Sequence, residues 1–202
     1  PNKDFLTFKR GEGYWLITRG KKDLNFGSAT VPGVQDTFAI TLQTGYNLIG
    51  NPFPYKVSWE KSKRPIGVES RLWKFTGKEF VAETLSMEPN TGYFLKNNST
   101  SDVTIKIDPT NISTTTTLPK TEIALHDDEW MLRLKTTNGS VNDIENFAGM
   151  LHTAESEWDV NDFSEPPPAP TDYLMLSFNH KEWKSNAGRY AGDFHAISKE
   201  GS

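Results

Sequence analysis

Between residues 45 and 59 the chain reads Gly45-Tyr-Asn-Leu-Ile-Gly-Asn-Pro-Phe-Pro-Tyr-Lys-Val-Ser-Trp59, apolar and aromatic but interrupted by Gly45, Gly50, Pro52 and Pro54. A proline inside a helix removes a backbone hydrogen bond and clashes with the preceding turn, so a continuous helix is excluded here. Leu48-Ile49 is expected to end a buried strand and Gly50-Asn51-Pro52 to turn the chain. Phe53-Pro54-Tyr55 should run extended, because a residue before proline is pushed out of the α region. Val57 and Trp59 then re-enter a core at period two. A segment held so firmly to one backbone path predicts the packing hub of a β domain.

The flanking segments agree. Thr37–Leu42 alternates, with Phe38, Ile40 and Leu42 on one side, and Arg71–Val81 alternates about a Gly77-Lys78 turn, the pattern of a hairpin. Gly11-Glu-Gly-Tyr-Trp-Leu-Ile-Thr18 and Asn90-Thr-Gly-Tyr-Phe-Leu-Lys-Asn97 read as one pattern written twice, 79 residues apart from Tyr14 to Tyr93. Gly13 meets Gly92, Trp15 meets Phe94, and the match continues from Asp23–Phe26 to Asp102–Ile105. Each copy reads as turn, strand, polar turn and second strand, so two equivalent hairpins in facing sheets are expected. Gly13 and Gly92 then occupy turn positions that call for φ > 0. The Leu72-Trp-Lys-Phe75 hairpin ahead of the second copy has no counterpart ahead of the first. The chain therefore reads as part of a longer parent.

Composition changes at Asp108–Lys120, DPTNISTTTTLPK. Beyond it, Trp130, Leu132 and Leu134 alternate, Asn138-Gly139 signals a tight turn, and Asn142–Leu151 reads as a short helix or a loop. Trp158–Pro170 is irregular, since Pro166-Pro167-Pro168 cannot sit in a strand ladder. Tyr173–Phe178 and Tyr190–Ile197 return to strand character. No long 3.6-residue period occurs anywhere. The reading is all-β: an antiparallel β-sandwich with duplicated hairpins over residues 1–108, a Thr-rich connector at 109–120, and a second β-sandwich over 121–202.

With 202 residues, a net charge of −4 and scattered basic residues, the chain lacks the electrostatic footprint of a nucleic-acid binder. No apolar run reaches the ~18–20 residues of a membrane span. Cysteine is absent, which excludes disulfides, thiolate zinc sites and thiol nucleophiles. Six Trp, twelve Phe and six Tyr offset a modest apolar fraction of 35% and suit small β domains with aromatic cores.

Ile40-Thr-Leu-Gln, then Gly45-Tyr-Asn-Leu-Ile-Gly-Asn-Pro-Phe, joined to the Gly-Tyr-aromatic repeats, resembles a module of large secreted Bacteroidetes-type proteins exported by the type IX secretion system. The second part of the chain is similar to the region C-terminal to that module in those proteins. The matching residues are Trp130-Met-Leu-Arg-Leu, Asn146-Phe-Ala-Gly149, Asp159-Val-Asn-Asp162 running into Glu165-Pro-Pro-Pro168, and Tyr190-Ala-Gly-Asp193. The likeness covers most of residues 5–195, with Tyr46 where the family often has Trp. It implies a secreted or cell-surface setting beside neighbouring domains of a parent chain. It brings no enzymatic activity and no catalytic residue.

Two site readings stand beside the structural one. Acidic and amide side chains gather at Asn142, Asp143, Glu145 and Asn146 and again at Glu155, Glu157, Asp159 and Asp162; such clusters could ligate calcium, which takes six to eight oxygens, or form solvated Asx turns, and Asp159 and Asp162, ahead of a proline-stiffened stretch, are the preferred ligands. A carbohydrate-binding module would use exposed tryptophan faces. Trp183, set between Lys181-Glu182 and Lys184-Ser185-Asn186, is the first candidate, with Trp158 and Trp73 next. Trp15, Trp59 and Trp130 alternate with apolar neighbours and read as core. The four histidines, at 126, 152, 180 and 195, show no i, i+4 zinc spacing. The expectation is a non-catalytic accessory module, with polysaccharide as the alternative partner.

Overall fold

A computed structural model describes residues 8–21, 23, 25, 36–110 and 125–197. In it the hub forms as its prolines and glycines require. Gly45–Gly50 is a strand (β2), the chain turns at Asn51, and Val57–Ser58 is a short strand (β3). Asn51 holds the turn. Its amide nitrogen donates to the carbonyls of Tyr55 and Met87, each at 2.8 Å, and its Oδ1 accepts the Phe53 amide at 2.9 Å. Val57 and Trp59 are fully buried, and the Trp59 indole donates to the Ser70 carbonyl at 2.5 Å.

The chain divides into two compact units: Pro1–Lys74 with Ala82–Leu118, and Phe75–Val81 with Pro119–Ser202. In the first, Phe38–Leu42 (β1) pairs antiparallel with Val103–Ile107 (β8), placing Ile40 opposite Ile105 and Leu42 opposite Val103. Alternating residues of both strands thus share one apolar face. A four-stranded sheet runs β2, Gly92–Asn97 (β7), Leu72–Phe75 (β4), Phe80–Glu83 (β5), and β3 pairs with Ser86–Met87 (β6). These elements bury one cluster that includes Leu42, Ile49, Val57, Trp59, Tyr93 and Ile105.

The repeat resolves differently from its expected form. The second copy supplies β7 and β8, which belong to different sheets and do not pair as a hairpin. Asn97, fully buried at the end of β7, drives the separation. Its side chain binds the carbonyls of Gln43 and Ser101 and the amide of Ser99, so the chain leaves the sheet instead of folding back along it. In the first copy only Glu12 bridges to Ile49, with Gly13 N–H to Leu48 O and Gly50 N–H to Gly11 O, each at 3.0 Å. Tyr14–Ile17 is exposed and forms no strand, and Trp15, expected in the core, lies against Phe94 with its ring half exposed. Leu24 and Phe26, half of the predicted match to Asp102–Ile105, lie outside the described residues. Neither Gly13 nor Gly92 has positive φ. Gly13 is required by space, since a Cβ there would sit 2.7 Å from the Ile49 carbonyl oxygen, whereas one on Gly92 would meet nothing closer than 3.8 Å.

The second unit is a sheet in the order Phe163–Ser164 (β11), Gly188–Ala196 (β13), Val141–Leu151 (β10), Trp130–Asn138 (β9), with Phe178–His180 (β12) also on β13. Gly139, at φ 62°, makes the β9–β10 turn. Asn142–Leu151 is neither helix nor loop but most of an eleven-residue strand, paired on both edges. Its partner β13 runs parallel to it, a departure from a purely antiparallel fold. Phe147 meets Phe163 edge-on and Phe163 meets Phe194 at a tilt, and a Cβ on Gly192 would sit 2.1 Å from Phe163 Cε1.

Candidate functional site

The titratable and aromatic groups with the most chemistry gather in the second unit. Trp183, the first candidate for an exposed sugar-binding face beside the favoured packing reading, is 7% exposed. A 3-10 turn at Lys184–Asn186 folds it inward, where the indole stacks on His180 at 3.6 Å and 4° and meets Tyr190 edge-on. Flanking charge signalled exposure only for the neighbours; the turn decided the ring. Trp73 is 2% exposed in the first unit, and Trp158 is half-buried. Trp130, expected in the core, is 44% exposed on the edge strand β9. Its alternation is real, but an edge strand has no neighbour to complete the cover.

Around the buried Trp183 runs a chain of ionisable groups. His180 Nδ1 lies 2.6 Å from Glu182, its Nε2 lies 3.3 Å from Asp193 Oδ1, and the same oxygen is 3.1 Å from His195 Nε2. The His180 imidazole is thus held between two carboxylates, one of which it shares with His195. A second histidine corner lies at the start of β9, where His152 Nε2 contacts Asp128 at 2.9 Å. There Glu129 accepts the amides of His126 and His152, which hold its carboxyl below the usual range.

Asp159 and Asp162 are joined, but to the backbone. Asp159 Oδ2 accepts the Glu155 amide and its Oδ1 the Asn161 amide; Asp162 Oδ2 accepts the Asp159 amide and its Oδ1 the Phe194 amide. Three of these oxygens tie the loop to itself, and Asp162 Oδ1 fastens it to β13. Burial pushes the Asp162 carboxyl up to about 6 in spite of its two amide donors. Among the described residues no group of three or more His, Asp or Glu side chains is placed to hold a metal ion.

A third cluster falls on the first acidic and amide run, at Asp143 and Asn146, on a strand where the sequence suggested a loop or short helix. A β-bulge between Asp143 and Asn146 inserts an extra residue in β10, so these two positions, three apart, meet on one side. Asn146 donates to Asp143 Oδ1 at 2.7 Å, and the Leu176 amide donates to Oδ2 at 2.6 Å. Glu165 continues β11, its amide bonded to the Arg189 carbonyl at 3.0 Å, and the proline run after it keeps it extended. It is 8% exposed, and burial first, then the Asp143 charge, pushes its carboxyl up to about 8. The sequence signal was a carboxylate set directly before Pro166-Pro167-Pro168, which cannot swing out freely.

In the first unit a shallow groove of about 280 Å³ is lined by Thr37, Ala39, Lys63, Lys106 and Asp108. Its side chains offer charge but no nucleophile paired with a base. No family model, curated protein or solved structure matches this chain.

Proposed function

We propose that the chain is a non-catalytic structural module, two β-sandwich domains in tandem, within a large exported bacterial surface protein, where it spaces and presents neighbouring domains. One observation carries this reading: several of the largest aromatic side chains are spent on the interiors of both units. Trp59, Trp73 and Tyr93 are buried in the first unit and Trp183 and Tyr190 in the second. The loop carboxylates Asp159 and Asp162 likewise serve the backbone. The exported setting rests on the resemblance of the Gly45–Phe53 hub and its accompanying motifs to secreted modules.

Polysaccharide binding is the second reading, and a specific row of residues favours it. Trp130 pairs in register with Met150, and Met150 with His195, so an exposed indole, a thioether and a half-exposed imidazole lie side by side across three strands. Trp183 and Trp73, whose faces are covered, would have to open to serve. Titrating tryptophan fluorescence against soluble polysaccharides separates the readings. No shift across a broad panel, from a folded sample, supports the spacer. A saturable shift abolished by Trp130→Ala replaces it with a binding module.

A further inference from the structure

Strand β9 closes one side of the second unit's sheet, and among the described residues no strand pairs with its outer edge. It is nine residues long, and its outward backbone groups form a template for another strand. The usual safeguards of an edge are missing. β9 contains no proline, and the bulge lies in its neighbour β10, between Asp143 and Asn146, so β9 itself stays regular. Arg133, which could guard the edge, is drawn back onto its own sheet by the Ile144 carbonyl and Glu145, each at 2.7 Å. Trp130 and Leu132 are exposed, and with Leu134 they share one face of the strand.

We infer that β9 is the interface between two copies of this chain, which pair antiparallel about a two-fold axis at Leu132 and continue the sheet. Charge selects the antiparallel sense. Asp127, Asp128 and Glu129 precede the strand while Arg133 and Lys135 lie further along it, so an in-register parallel partner would set like on like. Charge and apolar pattern also select the register. With Leu132 opposite Leu132 of the second copy, Trp130 meets Leu134, Met131 meets Arg133 and Glu129 meets Lys135, each pair occurring twice. The apolar face then runs unbroken across both copies, and a carboxylate already fixed by the His126 and His152 amides receives a lysine. An axis at Arg133 sets that arginine against itself, one at Leu134 sets Arg133 against Lys135, and one at Met131 faces Leu134 with Asp128. Like charges directly opposite destabilise a strand pair, so Leu132 is the favoured centre. The pairing holds whether or not the module is a spacer.

Sedimentation equilibrium of the whole chain, from about 5 μM to about 500 μM, covers the affinity range of a small strand-edge contact. A monomer–dimer equilibrium is expected. Leu132→Lys, which sets two lysines on the axis, should weaken it at least about tenfold. Its melting midpoint at low concentration should not move, because the side chain is exposed. Lys135→Glu, facing Glu129 of the second copy, should weaken it too, whereas Lys181→Glu, the same charge change at an exposed position outside β9, should not. The chain has no cysteine, so a single introduced one reports the register. Under copper-catalysed oxidation Leu132→Cys should cross-link into dimers, because its two thiols meet at the axis, and Lys135→Cys should not. A chain that stays monomeric throughout the range overturns the interface. Dimers undiminished in folded Leu132→Lys, or cross-linking as ready in Lys135→Cys as in Leu132→Cys, overturn it equally.

Discussion

The two units close their interiors by different chemistry. The first buries Leu42, Val57, Trp59, Leu72, Tyr93, Ile105 and Ile107, and the buried polar residues among those described in it are neutral: Ser58, Ser62, Ser86 and Asn97. The second buries fewer large side chains and takes in carboxylates, Asp162 and Glu165, with Asn146. An apolar interior responds to shape, because lost contacts and cavities set its cost. A carboxylate interior also responds to protons. Tyr93, pushed up to about 12 by burial, ionises only in strong alkali, whereas the second unit's buried acids change state near neutrality.

The largest expected effect tests the first half of that contrast. Trp59→Ala should cost ~3–5 kcal/mol in chemical denaturation, through cavity formation and the loss of the indole bond to Ser70. A cost near zero would break the comparison, since the hub would not then be the centre of an apolar core.

The second half is tested by pH. The folded-state Glu165 carboxyl sits at about 8 against an ordinary 4.5, and Asp162 at about 6 against 3.8. Between each pair of values the folded chain holds a proton that the unfolded chain has released. The stability these two groups contribute is therefore fully present below their ordinary values and is lost as pH rises, through 6 for Asp162 and through 8 for Glu165. The slope approaches ~1.4 kcal/mol per pH unit for one group. Melts of chelator-stripped protein should show this decline, and Glu165→Gln should flatten its upper part. A midpoint independent of pH from 5 to 8 would remove the distinction between the units.

Backbone crowding sharpens the contrast at smaller scale. Gly13→Ala should cost ~1–3 kcal/mol by overpacking against Ile49, while Gly92→Ala, with open space around its Cβ, should cost less. Equal melting shifts in the two variants would restore the symmetric-repeat picture. In the second unit Gly192→Ala should match or exceed Gly13→Ala, because its Cβ would sit 2.1 Å from Phe163 Cε1. The smallest effect is at the edge: Trp130→Ala should alter stability by less than ~1 kcal/mol, as a half-exposed ring on an unpaired strand edge contributes little packing.

Much of the local structure could be read from residues. The turn at Asn51, the alternation that faces Ile40 and Leu42 inward, and the Gly77 and Gly139 turns come from backbone sterics and period-two patterning, which depend only on near neighbours. The site was far less readable. Burial of Trp183 depends on His180 and Tyr190, reached by folding. Exposure of Trp130 depends on which strand ends the sheet. Asn142–Leu151, polar at its start, resembled a loop because a bulge breaks its alternation, and only pairing with β9 and β13 reveals the strand.

What the amino-acid order determined by itself is the all-β character and the path of the hub, since proline, glycine and alternation act within a few residues. Tertiary structure alone decided that the two Gly-Tyr-aromatic copies part company. It likewise decided that Glu165 is drawn inside. Sheet order, edge position and the company a carboxylate keeps are set by segments distant in the chain, and no local pattern encodes them.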